Sequence, residues 1–203
     1  MKQYRIIQFD MAKELAHGMC VSNLAYLTGR ELGMDEDDCY QLAMAGMVHD
    51  VGKLELEKYI YGRGEDTLTI EEMKYVRSHS GLSYAILNEQ GGYSQFVLDS
   101  VLYHHENYDG TGYPSNLVGE DIPLGARIIR VCDVFAALIS DRPYRKSFDM
   151  DTAVELMIEE VKNFDMKIFL AFMRLLHEDG IEETADAKVY EEIFGITAEE
   201  EKE

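Results

Sequence analysis

The chain is short of positive charge. Against 39 acidic side chains it has 19 lysines and arginines, a formal net charge of -20. A surface that wraps nucleic acid or lies on an anionic bilayer needs a basic face, so polymeric nucleic acid and the membrane are excluded as partners. Cysteine is scarce too. Cys20, Cys39 and Cys132 are odd in number, lie within helix-patterned stretches and have no zinc-finger spacing, so they read as reduced structural thiols. The N-terminus lacks an apolar run: Ile6 and Ile7 are soon followed by Asp10, which leaves neither a signal-peptide core nor a membrane span and points to the cytoplasm. No strand-period run, internal repeat or low-complexity tract is present.

What is there is a globular composition, 46% apolar over 203 residues, enough for one ordinary domain with its own core. The apolar spacing is helical almost throughout. Asp10 is placed to cap a helix running to about residue 32, with His17, Val21, Leu24 and Thr28 on its inward stripe. Asp35 caps a second helix that carries Cys39, Leu42, Gly46 and Met47 inward and ends in His49-Asp50, after which Gly52 turns the chain. Residues 54–68 read as a loop. Thr69-Ile70-Glu71-Glu72 is a capping box, and the helix it starts delivers His79. Gly81 and the Gly91-Gly92 pair bracket a short helix; Ser94 caps the next, in which Val97, Val101, His104 and His105 face inward. Residues 106–123 are dense in turn formers and too many for an idle connection, so they read as a functional loop. Residues 127–140 are apolar nearly all round, a buried helix with Asp133 in its middle. Helices over about 150–162 and 166–177 complete the core, and 187–194 forms one more in an acidic end. The expected fold is all-α, a single helical domain of roughly 7–9 helices over residues 1–178, followed by an acidic helix and tail over 179–203.

The inward polar residues carry the chemistry. A buried, ionised Asp133 without a partner would cost several kcal/mol, so it must meet a metal or a cation. With it, His17, His49, Asp50, His79, His104 and His105 bring five histidines and two carboxylates to the interior from five helices. His177 alone of the histidines is left out. One such histidine is commonly a core side chain bonded to a carbonyl, but seven polar groups together leave too many hydrogen-bonding valences to satisfy without metal. Mixed imidazole and carboxylate ligands suit Fe, Mn, Zn, Co or Ni over Mg or Ca. A shared carboxylate brings two ions together, as in hydrolytic two-metal sites. Arg142, Arg145 and Lys146 gather positive charge just after the apolar helix, where an anionic substrate of so acidic a protein would need it.

The set His49-Asp50-x-Gly52-Lys53, His79, His104-His105-Glu106-x-x-Asp109-Gly110-x-Gly112-Tyr113-Pro114, Asp133 and Asp141-Arg142-Pro143-Tyr144-Arg145 resembles the HD-GYP family of cyclic-di-GMP phosphodiesterases. The resemblance covers roughly residues 10–175. It implies the all-helical HD-superfamily fold around a metal centre of two divalent transition metals, iron or manganese. It divides the ligands into His17, His49, Asp50 and Asp133 for one ion and Asp50, His79, His104 and His105 for the other. It implies further that Lys53, Tyr113, Arg142 and Arg145 contact the substrate phosphates, with Asp50 and Lys53 as the catalytic pair. The reaction implied is hydrolysis of cyclic-di-GMP to pGpG, GMP or both by a hydroxide bridging the metals. Glu106 is expected to accept an N–H from a ligand imidazole. A homodimer and a protein partner at the Gly-Tyr-Pro loop are left open, as are two other readings: a different HD-type nucleotide phosphohydrolase, and a slow cyclic-dinucleotide sensor. One position departs from the pattern. Some members hold a third metal through a glutamate four residues before the first histidine, where this chain has Lys13; Glu14 is next door but turned by about 100°. Two metals are therefore expected, with pGpG accumulating before GMP.

Overall fold

The most apolar stretch becomes the central helix. In the computed structural model, which describes residues 11–56, 70–141 and 145–178, Ile128, Ile129, Val131, Cys132, Phe135 and Ala136 are at most 2% exposed. All six lie on the helix Leu124–Ile139. A fully buried side chain of the larger kind contributes about 1.5–3 kcal/mol, which lets the same helix carry the buried Asp133.

The described chain forms nine α-helices and no β-strand: α1 (Met11–Glu31), α2 (Glu36–Val48), α3 (Lys53–Leu56), α4 (Ile70–Arg77), α5 (His79–Gln90), α6 (Gln95–Tyr103), α7 (Leu124–Ile139), α8 (Met150–Glu159) and α9 (Met166–Glu178). α7 packs against α1, α2, α6, α8 and α9. α9 lays Ile168, Phe169, Phe172 and Leu176 on the core, with Phe172 edge-on to Phe135 at 5.2 Å between ring centroids. None of the described helices is long and apolar enough to cross a membrane.

Caps read from the sequence are in place. The Asp35 side chain accepts from Asp38 N at 2.9 Å and Ser94 Oγ from Val97 N at 3.2 Å; Asp149, which the sequence reading did not single out, does the same for Thr152 N at 2.9 Å. α1 and α2 approach closely because neither has a side chain at the crossing. A Cβ on Gly18 would lie 2.8 Å from Met47 O, and one on Gly46 would lie 2.9 Å from Ser22 Cα. That contact sets His17, next to Gly18, against His49 at the end of α2.

Several expectations are corrected. Met47 is 38% exposed, not inward; the buried stripe of α2 is Cys39, Leu42, Ala45 and Gly46, and Met47 is turned away from it. His79 opens α5 instead of closing α4. The break falls at Ser78, whose hydroxyl donates to Tyr75 O at 2.6 Å, competing with the helix for that carbonyl. Gly81 lies inside α5 with open space beside it, while Gly91 and Gly92, at φ 74° and 88°, do end that helix. Gly52 does lie in the turn that leads into α3, as expected, but a turn alone does not require glycine. Its role is proximity: a Cβ there would meet His79 O at 2.3 Å and Ser83 N at 2.6 Å. α8 stops at Glu159, short of 162, and a 3-10 turn over Val161–Asn163 follows. The Asp10 cap, the Thr69 cap, most of the 54–68 loop, Arg142 and the 179–203 helix and tail lie outside the described residues.

Candidate metal centre

The seven ligand candidates converge. His49 and Asp50 follow the last turn of α2, and His79 comes from the first turn of α5. His104 and His105 follow the end of α6, His17 comes from α1 and Asp133 from the middle of α7. Ligand atoms of Asp50, His79, His104 and His105 all lie within 4.8 Å of one another, as do those of His17, His49 and Asp50, and those of His49, His104 and Asp133. Asp50 faces both ways. Its Oδ2 is 3.2 Å from His49 Nε2 and 4.0 Å from His17 Nε2, while its Oδ1 is 3.1 Å from His79 Nε2 and 4.0 Å from His104 Nε2. Asp133 Oδ1 lies 3.0 Å from His17 Nε2 and 3.7 Å from His49 Nε2.

Helix geometry fixes three of the rings. His49 Nδ1 donates to Gly46 O at 2.7 Å, His79 Nδ1 to Val76 O at 2.5 Å and His104 Nδ1 to Val101 O at 2.7 Å. A carbonyl can only accept, so the proton sits on Nδ1 and in the neutral ring the Nε2 lone pair faces the cluster. The consequence is a meeting of acceptors, His79 and His104 Nε2, 3.4 Å apart, with His105 Nε2 a further 3.0 Å from His79 Nε2. His49 Nε2 and Asp50 Oδ1 are buried without a hydrogen-bond partner; the 3.1 Å approach of His79 to Asp50 Oδ1 lacks hydrogen-bond alignment. Orphaned nitrogen and oxygen atoms aimed at common points are the donor set of divalent metal ions, and these residues fit that group.

Charge divides along the same line. Burial and the neighbouring His105, His49 and His79 hold His104 well below the ordinary imidazole range. Burial, opposed by Asp133 and reinforced by His79, takes His105 down to about 3. Both are thereby neutral, as ligands must be. For His49, burial favours the neutral ring but Asp50 and Asp133 outweigh it, raising it to about 10, so this ring holds a proton between two carboxylates that a bound metal ion would displace. Asp50 and Asp133 are held ionised against their burial, the first chiefly by His49 and Lys53, the second by His17 and His49.

The loop after α6 is fastened to the cluster by Glu106. This carboxylate is 1% exposed, and it accepts from Ser115 N at 2.6 Å and Leu117 N at 3.1 Å. It therefore holds the loop, not a ligand imidazole as expected. The middle of the loop is also tied back to its start by Tyr113 N donating to His105 O at 3.1 Å. The Tyr113 ring then stacks on His105, 4.7 Å between centroids and 28° between planes.

The family model described as HD domain matches residues 3–168. The chain belongs to the HD domain family. Among relatives of this HD domain, a cyclic di-GMP phosphodiesterase response regulator, RpfG, of Xanthomonas campestris pv. campestris is 38% identical over 156 residues, 76% of this chain and 41% of that protein. The 3'3'-cGAMP-specific phosphodiesterase 1 of Vibrio cholerae is 35% identical over 161 residues, 78% of this chain and 37% of that protein. The chain thus spans about two fifths of the length of these relatives. A solved structure of Bd1817, described as a HDG"Y"P protein from Bdellovibrio bacteriovorus, shares the fold with a TM-score of 0.66 at 20% identity, covering 84% of this chain and 55% of that one.

In this HD domain the expected cations are not all at the centre. Lys53 is: its ammonium donates to Asp50 Oδ2 and lies 3.8 Å from Glu14 Oε2. Glu14 thus turns toward the site despite its offset from the position of Lys13. Arg145 is engaged elsewhere. It donates to Leu138 O at 3.0 Å, Ala137 O at 2.7 Å and Lys146 O at 2.9 Å and stacks on Phe148, which caps the C-terminus of α7. Two arginines that the sequence reading missed are at the rim instead. Arg77 lies over the Tyr113 ring, 5.3 Å from its centroid. Arg130 contributes positive potential to both Tyr113 and His105, its Nε held by Asn107 Oδ1 at 3.1 Å. No spacing rule flags either one, because both reach the site only through folding.

Proposed function

We propose that this HD domain hydrolyses a phosphodiester bond of a cyclic dinucleotide, with cyclic-di-GMP as substrate and pGpG, GMP or both as products. The observation that carries the reading is the double-facing Asp50, one oxygen toward His17 and His49 and the other toward His79 and His104. On this reading His17, His49, Asp50 and Asp133 hold one divalent ion and Asp50, His79, His104 and His105 the other. Nitrogen-rich ligands with two carboxylates favour iron or manganese over magnesium or calcium. Such ions, when bound, activate water and neutralise charge on phosphoryl oxygens.

The chain's own residues do the rest. Asp50 keeps the two ligand sets in register. Lys53, whose pKa is raised despite its burial by Asp50 and Glu14, stays a cation beside Asp50 and meets a phosphoryl oxygen there. Tyr113, its hydroxyl pushed up by burial, remains a phenol that can donate to a phosphate. Arg142 belongs to the same proposal as a phosphate contact; Arg145 does not, because the α7 carbonyls occupy its guanidinium.

A second reading, hydrolysis of 3'3'-cGAMP, draws on the similarity to the Vibrio cholerae enzyme of that name. The deciding experiment loads the protein with Fe(II) or Mn(II) under reducing conditions and separates products from cyclic-di-GMP and 3'3'-cGAMP by chromatography. Turnover of cyclic-di-GMP at the higher kcat/KM supports the first reading and preference for 3'3'-cGAMP the second. Tight binding of either without turnover overturns both and leaves a sensor.

A further inference from the structure

Outward from the second ligand set the side chains form a column. His105 is innermost, Tyr113 stacks on it, and the Arg77 guanidinium lies over Tyr113. Arg77 is the last residue of α4, two positions before His79, and is exposed. Its place is therefore set by the same helix junction that aims His79 inward. Arg130, part-buried on α7, adds a second guanidinium to the surroundings of Tyr113. In a chain with 19 basic against 39 acidic residues, two arginines concentrate positive charge about one half-buried tyrosine, on the outer side of the Asp50 and Asp133 charges that also reach it.

The chemistry of the stack narrows the ligand. A guanidinium that rests on an aromatic ring uses its face and leaves its planar edge of N–H groups free. That edge matches a phosphodiester's two non-bridging oxygens in a bidentate contact. The ring also restricts the long side chain before binding, so less entropy is lost when the anion arrives. A cyclic dinucleotide has two phosphodiesters. If one is at Asp50 and Lys53, the other lies away from the reacting centre, toward the rim.

We propose that Arg77, held over Tyr113, binds the non-reacting phosphate of a cyclic dinucleotide and so selects dinucleotides over simple phosphodiesters. This rests on the phosphodiesterase reading above and adds a specificity residue to it.

The test compares wild type, Arg77→Ala and Arg77→Lys on two substrates: cyclic-di-GMP, and bis(p-nitrophenyl) phosphate, which has a single phosphodiester. Metal content and thermal midpoint are measured on each variant. Arg77→Ala should raise the KM for cyclic-di-GMP by about 10–100-fold, the range for losing hydrogen bonds to a charged group. Its effect on bis(p-nitrophenyl) phosphate should be at least tenfold smaller. Equilibrium binding of a slowly hydrolysed phosphorothioate analogue of cyclic-di-GMP should weaken in parallel, and Arg77→Lys should fall between, keeping charge but losing the planar fork. If Arg77→Ala is poorly folded, Arg77→Gln is measured in its place. Equal losses on both substrates, or unchanged KM and binding for the cyclic dinucleotide, overturn the proposal. Wild type that turns over bis(p-nitrophenyl) phosphate but neither binds nor hydrolyses cyclic-di-GMP also overturns it, and no turnover of either substrate overturns the phosphodiesterase reading itself.

Discussion

Asp50 shows how much one side chain can organise. Its oxygens face separate histidine sets, so removing it affects both, whereas His79 belongs to one. Asp50→Ala is expected to bind well below one ion per chain after reconstitution and to lose about 1,000-fold or more in kcat/KM. His79→Ala is expected to retain about one ion, and elemental analysis of anaerobically loaded protein separates the two cases. Glu106 was legible as important and illegible in role. The need of a ligand imidazole for an acceptor suggested a hydrogen bond to a histidine, but the carboxylate collects the N–H groups of Ser115 and Leu117. Glu106→Ala leaves those donors without their partner, at a cost of about 1–3 kcal/mol. It should raise KM through a displaced Tyr113 while metal content stays at the wild-type level; urea unfolding and steady-state kinetics read the two effects.

Among elements, the helices were legible wherever apolar spacing and caps agreed. Asp35 and Ser94 mark the starts of α2 and α6 because a side-chain oxygen there satisfies an otherwise orphaned N–H, a local requirement that neighbours do not alter. The α4–α5 break was read at Gly81 and falls at Ser78, since no proline or glycine marks Ser78 and the competing bond to Tyr75 is also compatible with an unbroken helix. Gly52 suggested a turn and lies in one, while the close approach of α5 at His79 and Ser83, which also requires glycine there, was not legible. Arg145 illustrates the same limit. Read as part of a basic cluster, it pointed to a phosphate; folded, it completes the carbonyl end of α7. Arg145→Ala should therefore cost about 1–2 kcal/mol in urea unfolding, with kcat/KM for the substrate changed less than about threefold. A loss of a hundredfold in kcat/KM with unchanged stability would return Arg145 to the substrate.

At the scale of the whole molecule the proposed ligands join α1, the ends of α2 and α6, the start of α5 and the middle of α7. Ions bound there hold five segments together, so they bind the folded chain and not the unfolded one. Free metal at 100 times its dissociation constant should add about 2.7 kcal/mol per site. Chelation should reverse the gain in a thermal scan, and Asp50→Ala should show little response to either treatment.

The sequence by itself determined that this protein is helical, where most of its helices run, and that five histidines and two aspartates turn toward the interior. Those follow from periodicity and local capping, which depend on neighbours a few positions away. Only the tertiary structure decided which Asp50 oxygen faces which histidines, that Glu106 secures the loop, that Arg145 caps α7 and that Arg77 stands over Tyr113. Each of these depends on how close two backbones come, and that distance is set by packing between segments tens of residues apart, such as α1 against α2 at Gly18 and Gly46.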